Sequence, residues 1–269
     1  YTGHLYAGLA YQLLGKMFSK STESAEGVRI NNQMVGNEEL LDKAQQHYSQ
    51  ALDEAKGKLL ANKKGVFVAA TAVKQVRMLM VKLAMQRQRY AEAAALWNDA
   101  YANNMQVDVV YNINGNANPL YSAVGLPAIN VQVDASLVAS LKGTAEQKAI
   151  NTAINKDGHR YLTSLEKYAP LVIIDEKEMK LIQAELIVRG LMQGDAAQCV
   201  NKVLALYSTG QTITAAPTLK ELAHLRHVFL FLHGCRIDDL RRAMVDGEPQ
   251  AAWNARKVKY IPMPETEYK

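Results

Sequence analysis

Apolar side chains recur at helical spacing through most of this chain, and the interruptions between them divide it into pieces. The first piece, "GHLYAGLAYQLLGKMF", places Leu5, Leu9, Leu13 and Met17 four residues apart, with Tyr6 and Leu14 widening the stripe, and predicts a helix. A polar stretch from Ser19 to Gly36 predicts a long loop. Asn37 then stands as an N-cap before "EELLDKAQQHYSQALDEAKGKLLAN", whose Leu41, Ala44, Tyr48, Ala51, Leu52 and Ala55 share one face. In "VFVAATAVKQVRMLMVKLAMQRQ" the stripe is Ala69, Ala72, Val76, Leu79 and Leu83, and "RYAEAAALWNDAYANN" answers it after a short polar turn, with Trp97 on the core side.

The segments "AQQHYSQALDEAK" and "RYAEAAALWNDAYA" resemble each other: in each, Tyr is followed three residues later by Ala and then by more small residues on that face. Small residues at regular spacing let paired helices approach closely, as in tetratricopeptide-like hairpins. The expected fold is therefore mainly α, built of such hairpins in one domain over 1–269.

From about 107 to 143 the pattern changes. Asn, Gly and Pro become frequent, and the β-like runs "VDVVYNI" and "INVQV" flank an irregular insertion. Helical periodicity resumes in "KEMKLIQAELIVRGLMQGDAAQCVNKVLALY", which Gly194 and Asp195 fold into a hairpin. A last helix is predicted from about Leu219 to Met244, followed by a nonhelical tail. On that helix Leu225, Phe229, Leu232, Arg236 and Asp239 share a face, so Arg236 and Asp239 point inward and fasten the helix to its neighbours. Asp238 and Arg242 are then an exposed i,i+4 pair.

Composition narrows the function classes. The chain has 269 residues, 49% apolar and 21% charged, which is ordinary for folded soluble proteins and excludes disordered and collagen-like classes. Its net charge of +5 is spread among acidic residues, with basic residues adjacent only in short pairs such as Lys63-Lys64 and Arg241-Arg242, so no basic stripe for nucleic acid is formed. No run approaches the ~18 apolar residues of a membrane-spanning helix. The two cysteines, Cys199 and Cys235, lie in helical patterns and suit small buried side chains better than a bridge.

Four segments in order carry a resemblance: "LAYQLLGKMF", "RYAEAAALWNDA", "KEMKLIQAELIVRGLMQGDAAQCVNKV", and "HGCRIDDLRR" with "YIPMPETE". The set is similar to the SusD/RagB family of nutrient-binding outer-membrane lipoproteins. Its helical hairpin is matched by Glu178, Leu181, Ala184, Glu185, Gly194, Asp195, Ala197 and Asn201. Its GxRxxDLRR helix is matched by Gly234, Arg236, Asp239, Leu240, Arg241 and Arg242, and its PxPxxE tail by Pro262, Pro264 and Glu267. The chain departs from the family at Leu225, Phe229 and His233, where acidic residues are common, and in length, so it resembles a compact or truncated member. The resemblance implies a SusD-like fold and a lipid-anchored protein at the cell surface of the outer membrane, with the anchor not visible in this chain. It also implies a SusC-like TonB-dependent transporter as partner, a nutrient such as an oligosaccharide as ligand, and no cofactor.

A sugar site needs an aromatic face for the apolar side of a pyranose and planar amides for its hydroxyls. Tyr111, Asn112, Asn114, Asn116, Asn118 and Tyr121 supply both within the insertion, and Trp253 is a further exposed aromatic. The ligand-binding set expected is Tyr111, Asn112, Asn114, Tyr121 and Trp253; Tyr111 and Tyr121 would otherwise pack the loop onto the helices. No nucleophile elbow or phosphate loop occurs, and Asp175, Glu176 and Glu221 are expected at solvated helix ends, so no catalytic residue is assigned. His224 and His227 stand three apart without a third ligand, so no metal is expected there. The competing expectation is a tetratricopeptide-like scaffold that holds a protein or peptide and no small molecule.

Overall fold

A computed structural model describes residues 1–18, 28–57, 61–62, 65–66, 69–97, 103–126, 131–154, 158–163 and 165–245. The chain divides into two compact units, one formed by Tyr1–Tyr101 with Leu240–Lys269 and the other by Ala102–Asp239.

In the first unit, α1 (Thr2–Met17), α2 (Asn37–Gly57), α3 (Ala69–Gln86) and α4 (Tyr90–Leu96) pack each on the next, the arrangement expected of helical hairpins. The predicted faces of α2 and α3 are the buried ones: Leu41, Ala44, Tyr48, Ala51, Leu52 and Ala55 in the former, Ala72, Val76, Leu79 and Leu83 in the latter. Trp97 is buried at the end of α4.

Helix α1 turns a different face inward. Leu5, Gly8, Gln12, Gly15 and Lys16 are buried, whereas Leu13 is 58% exposed and Tyr6 49% exposed. Closeness decides this. A Cβ on Gly8 would meet the Tyr48 ring at 2.5 Å, and one on Gly15 would meet the Leu41 side chain at 2.8 Å, so the two glycines are where α2 approaches. The polar side chains on this face are joined, since the Tyr48 hydroxyl donates to Gln12 Oε1 at 2.6 Å and Gln12 Nε2 donates to Gln86 Oε1 at 3.0 Å. Burial pushes the Tyr48 hydroxyl pKa well above its ordinary value, which keeps it a donor.

The stretch expected to be a loop also contains structure. Strands β1 (Val28–Ile30) and β2 (Gln33–Val35) form a hairpin around Asn31 and Asn32, whose φ of 50° and 64° are those of a two-residue type I′ turn. A second short ladder pairs β3 (Ala61–Asn62) with β4 (Gly65–Val66).

In the second unit, β5 (Gln106–Val109) pairs antiparallel with β8 (Leu171–Asp175), with a register shift between Val107 and Asp108. Between them lie a π-helical turn at Tyr121–Gly125, α5 (Ala135–Leu141), α6 (Gln147–Ile150), and the hairpin of β6 (Thr152–Ile154) and β7 (Arg160–Leu162). The β-like run at 107–113 is thus a strand only to Val109, and 131–133 is not part of a strand, although the Val133 N–H donates to the Arg160 carbonyl.

The predicted helical hairpin is α7 (Glu176–Val188) with α8 (Ala196–Leu206). Gly190 and Gly194 turn the chain at φ of 73° and 141°, and Asp195 caps α8 by accepting from the backbone N–H of Gln198. Leu181, Cys199, Val200, Val203, Leu222 and Phe229 share its core with Cys235. Both cysteines are buried thiols, not joined in a disulfide. The Tyr207 hydroxyl donates to the Phe229 carbonyl, tying the end of this hairpin to the next helix, α9 (Leu219–Phe229), which starts at a Thr218–Glu221 capping box.

The last predicted helix is two. It stops at Phe229, and α10 begins at Arg236 and runs to Val245. Leu232 and Gly234 lie between at φ of 65° and 72°, a backbone that no helix passes through. No helix among the described residues is long and apolar enough to cross a membrane.

Candidate ligand-binding loop and a buried charged cluster

Beyond Val109, strand β5 leaves its partner and the chain crosses the surface of the second unit as a loop. Its local geometry is set by asparagine chemistry. Asn112 Oδ1 accepts from the backbone N–H of Asn114 at 3.0 Å, and the N–H of Gly115 donates to the Asn112 carbonyl at 3.1 Å. This Asx turn makes a compact tip on which Asn112, Asn114 and Asn116 are exposed and Tyr111 is half-buried. Val110 is 70% exposed and Ile113 77% exposed, so the tip offers apolar surface beside amide groups.

Asn118 has a different part from its neighbours. It is 1% exposed; its Nδ2 donates to the Ala169 carbonyl at 2.8 Å and its Oδ1 accepts from the Leu120 N–H at 2.8 Å. Its own N–H donates to the Lys167 carbonyl, and its carbonyl accepts from the Tyr121 N–H. A side chain satisfied on both amide atoms is a clasp that pins the foot of the loop to residues 167–169, so Asn118 is not available to a ligand. Tyr121 opens the π-helical turn that follows, half-buried, with its ring against Gly125: a Cβ there would come within 3.0 Å of Tyr121 Cδ2. Of the five expected residues, Tyr111, Asn112 and Asn114 therefore belong to one loop tip and Tyr121 to its foot. Trp253 lies outside the described residues, as does the PxPxxE tail.

Expectation missed the two apolar side chains of the tip. The alternating run through Val110 and Ile113 suggested a strand continuing to 113, and only the end of the β5–β8 ladder at Val109 shows that nothing in the sheet covers them.

Asp239, expected to point inward and fasten its helix to its neighbours, does so. Arg226 of α9 donates through Nε to Asp239 Oδ1 at 2.9 Å and through Nη2 to Glu178 Oε1 at 3.4 Å. All three are at most 4% exposed. The break at Leu230–Cys235 turns Asp239 back onto α9, where Arg226 is a salt-bridge partner. Asp238 and Arg242, expected on the surface, are buried. Asp175 is also buried, capping α7 through the Glu178 N–H and pairing with Lys177 at 2.7 Å, and Glu221 is spent in the capping box. These carboxylates are structural.

His227, half-buried, has its pKa held down at about 4 by burial and then by the charges of Arg236 and His224. Among the described residues no group of three or more His, Cys, Asp or Glu side chains gathers in a form that could hold a metal.

No protein-family model and no curated protein matches the chain. Solved structures do. A laminarin-binding SusD-like protein superposes with a TM-score of 0.66 at 15% identity over 97% of this chain and 74% of its own. A SusD superfamily protein from Bacteroides thetaiotaomicron gives 0.61 at 12% identity over 93% and 70%, and a SusD homologue from Bacteroides fragilis 0.60 at 14% over 98% and 78%. The chain has the SusD-like fold, mainly helical, which is what the ordered motifs implied.

Proposed function

We propose that this chain, carrying the SusD-like fold, is a non-enzymatic nutrient-binding protein that captures an oligosaccharide at the outer-membrane surface. In this reading Tyr111, Asn112, Asn114, Tyr121 and Trp253 contact the ligand, and the protein is lipid-anchored and delivers its cargo to a SusC-like TonB-dependent transporter.

The observation that carries the reading is the loop tip after β5. It sets a tyrosine and exposed asparagine amides beside uncovered Val110 and Ile113, which suits a ligand with both apolar ring faces and hydroxyls. The clasp at Asn118 anchors the foot of that loop, which limits the ordering cost of binding. One protein of similar fold binds laminarin, and this supports a glycan as the ligand class.

The partner is tested by purifying the natively anchored protein from gently solubilised outer membranes and identifying what accompanies it. A TonB-dependent barrel in near-equal amount is expected; soluble partners alone would favour the protein- or peptide-binding scaffold instead.

A further inference from the structure

Two histidines from different helices of the first unit meet at the α1–α2 contact, far from anything the ligand reading uses in sequence. His4, in the first turn of α1, and His47, in α2, bring their Nδ1 atoms to 2.9 Å, with ring centroids 5.2 Å apart and planes inclined at 33°. Both rings are held. His47 stacks on Tyr11 at 5.4 Å and 9°, and the far nitrogen of His4, Nε2, faces Glu54 Oε1 at 3.7 Å.

We propose that His4 and His47 form a two-imidazole site for a divalent transition cation of the Zn2+ class, its remaining positions filled by water or a small exogenous ligand.

The geometry fits such an ion. With metal–nitrogen bonds of about 2.0–2.1 Å and each ring centre about 1.1 Å further on, a tetrahedral ion holds two imidazole centroids about 5.2 Å apart, the separation seen here. The nitrogens point at each other across 2.9 Å, and for the same bond lengths they need to part to roughly 3.4 Å, a rotation of each ring by roughly 35° in the plane shared with the ion. Glu54 places a negative charge behind His4, 3.7 Å from Nε2, which favours a cation at the ring's other nitrogen. The His4 side chain is 35% exposed, so an ion has a way in. The protein supplies two donors, in keeping with the absence of any group of three among the described residues.

The test is a calorimetric titration of the chelator-treated intact protein with Zn2+, alongside His4→Ala, His47→Ala, His47→Gln and, as a control on the other histidine pair, His224→Ala. The wild type and His224→Ala should take up one equivalent. The His4 and His47 variants, folded by circular dichroism, should lose at least roughly tenfold in affinity, the lower end of what even an outer-shell loss costs. His47→Gln retains a hydrogen-bonding side chain toward His4, so its failure to bind separates ligation from the packing of the helix pair. A wild type that takes up no Zn2+, or folded His4 and His47 variants that bind it as well as the wild type, would overturn the site and leave a hydrogen-bonded histidine pair.

Discussion

Arg226 is the residue on which the second unit's helices converge, and the physics of its site sets a sharp expectation. Removing a buried guanidinium joined to Asp239 and Glu178 takes a charged donor away from two buried carboxylates. Arg226→Ala should therefore cost roughly 3–5 kcal/mol, read from the denaturant midpoint. Arg226→Lys should recover only part of it, because a single ammonium cannot reproduce donation from Nε and Nη2 at once. His227 makes a pH prediction. Its pKa is about 4 in the folded chain against an ordinary 6.5, so below pH 6.5 the unfolded chain takes up a proton that the folded one refuses. Stability from this group is complete above 6.5, falls as pH drops toward 4, and levels off below. His227→Asn should flatten that part of the stability profile measured by urea unfolding at a series of pH values.

At the scale of elements, α1 is the instructive case. Replacing a mid-helix glycine by alanine ordinarily gains about 1 kcal/mol of propensity. At Gly8 the new methyl would sit 2.5 Å from the ring of fully buried Tyr48, and overpacking of that kind costs about 1–3 kcal/mol. Gly8→Ala should thus lower the melting temperature, while Gly3→Ala, with open space around it, should not.

The same helix shows what was legible in the sequence. Periodicity located α1, α2, α3 and the α7–α8 hairpin, because a helix that buries one stripe writes that stripe every three or four residues. It misjudged the buried face of α1, where contact is made by glycines and a glutamine that no hydrophobicity pattern marks. It also ran α9 and α10 together, since the break rests on the φ of Leu232 and Gly234, and a leucine in a left-handed conformation has no sequence signal. The Asn31-Asn32 hairpin was there to be read as turn chemistry, but its strands are three residues each and lie in a polar stretch. For the candidate site, the residue types of the loop were legible and their division of labour was not. Asn118 and Asn112 look alike in a list of asparagines, and only the tertiary partner at Ala169 tells the clasp from the exposed tip.

For the whole molecule, a SusD-like fold met at 12–15% identity says how the chain is built, and the chemistry of its own surface must say what it holds. The loop tip proposed to hold the ligand is separate from what folds the chain: the tip makes hydrogen bonds within itself, whereas the core lies in the helical hairpins. The most direct measurement is a calorimetric titration with a panel of oligosaccharides, comparing the wild type with the combined Tyr111→Ala, Tyr121→Ala and Trp253→Ala variant. The account predicts saturable binding of at least one oligosaccharide by the wild type and its loss in the variant, with the denaturant midpoint little changed. Equal affinity in the two proteins, or no oligosaccharide bound by the wild type, would contradict it.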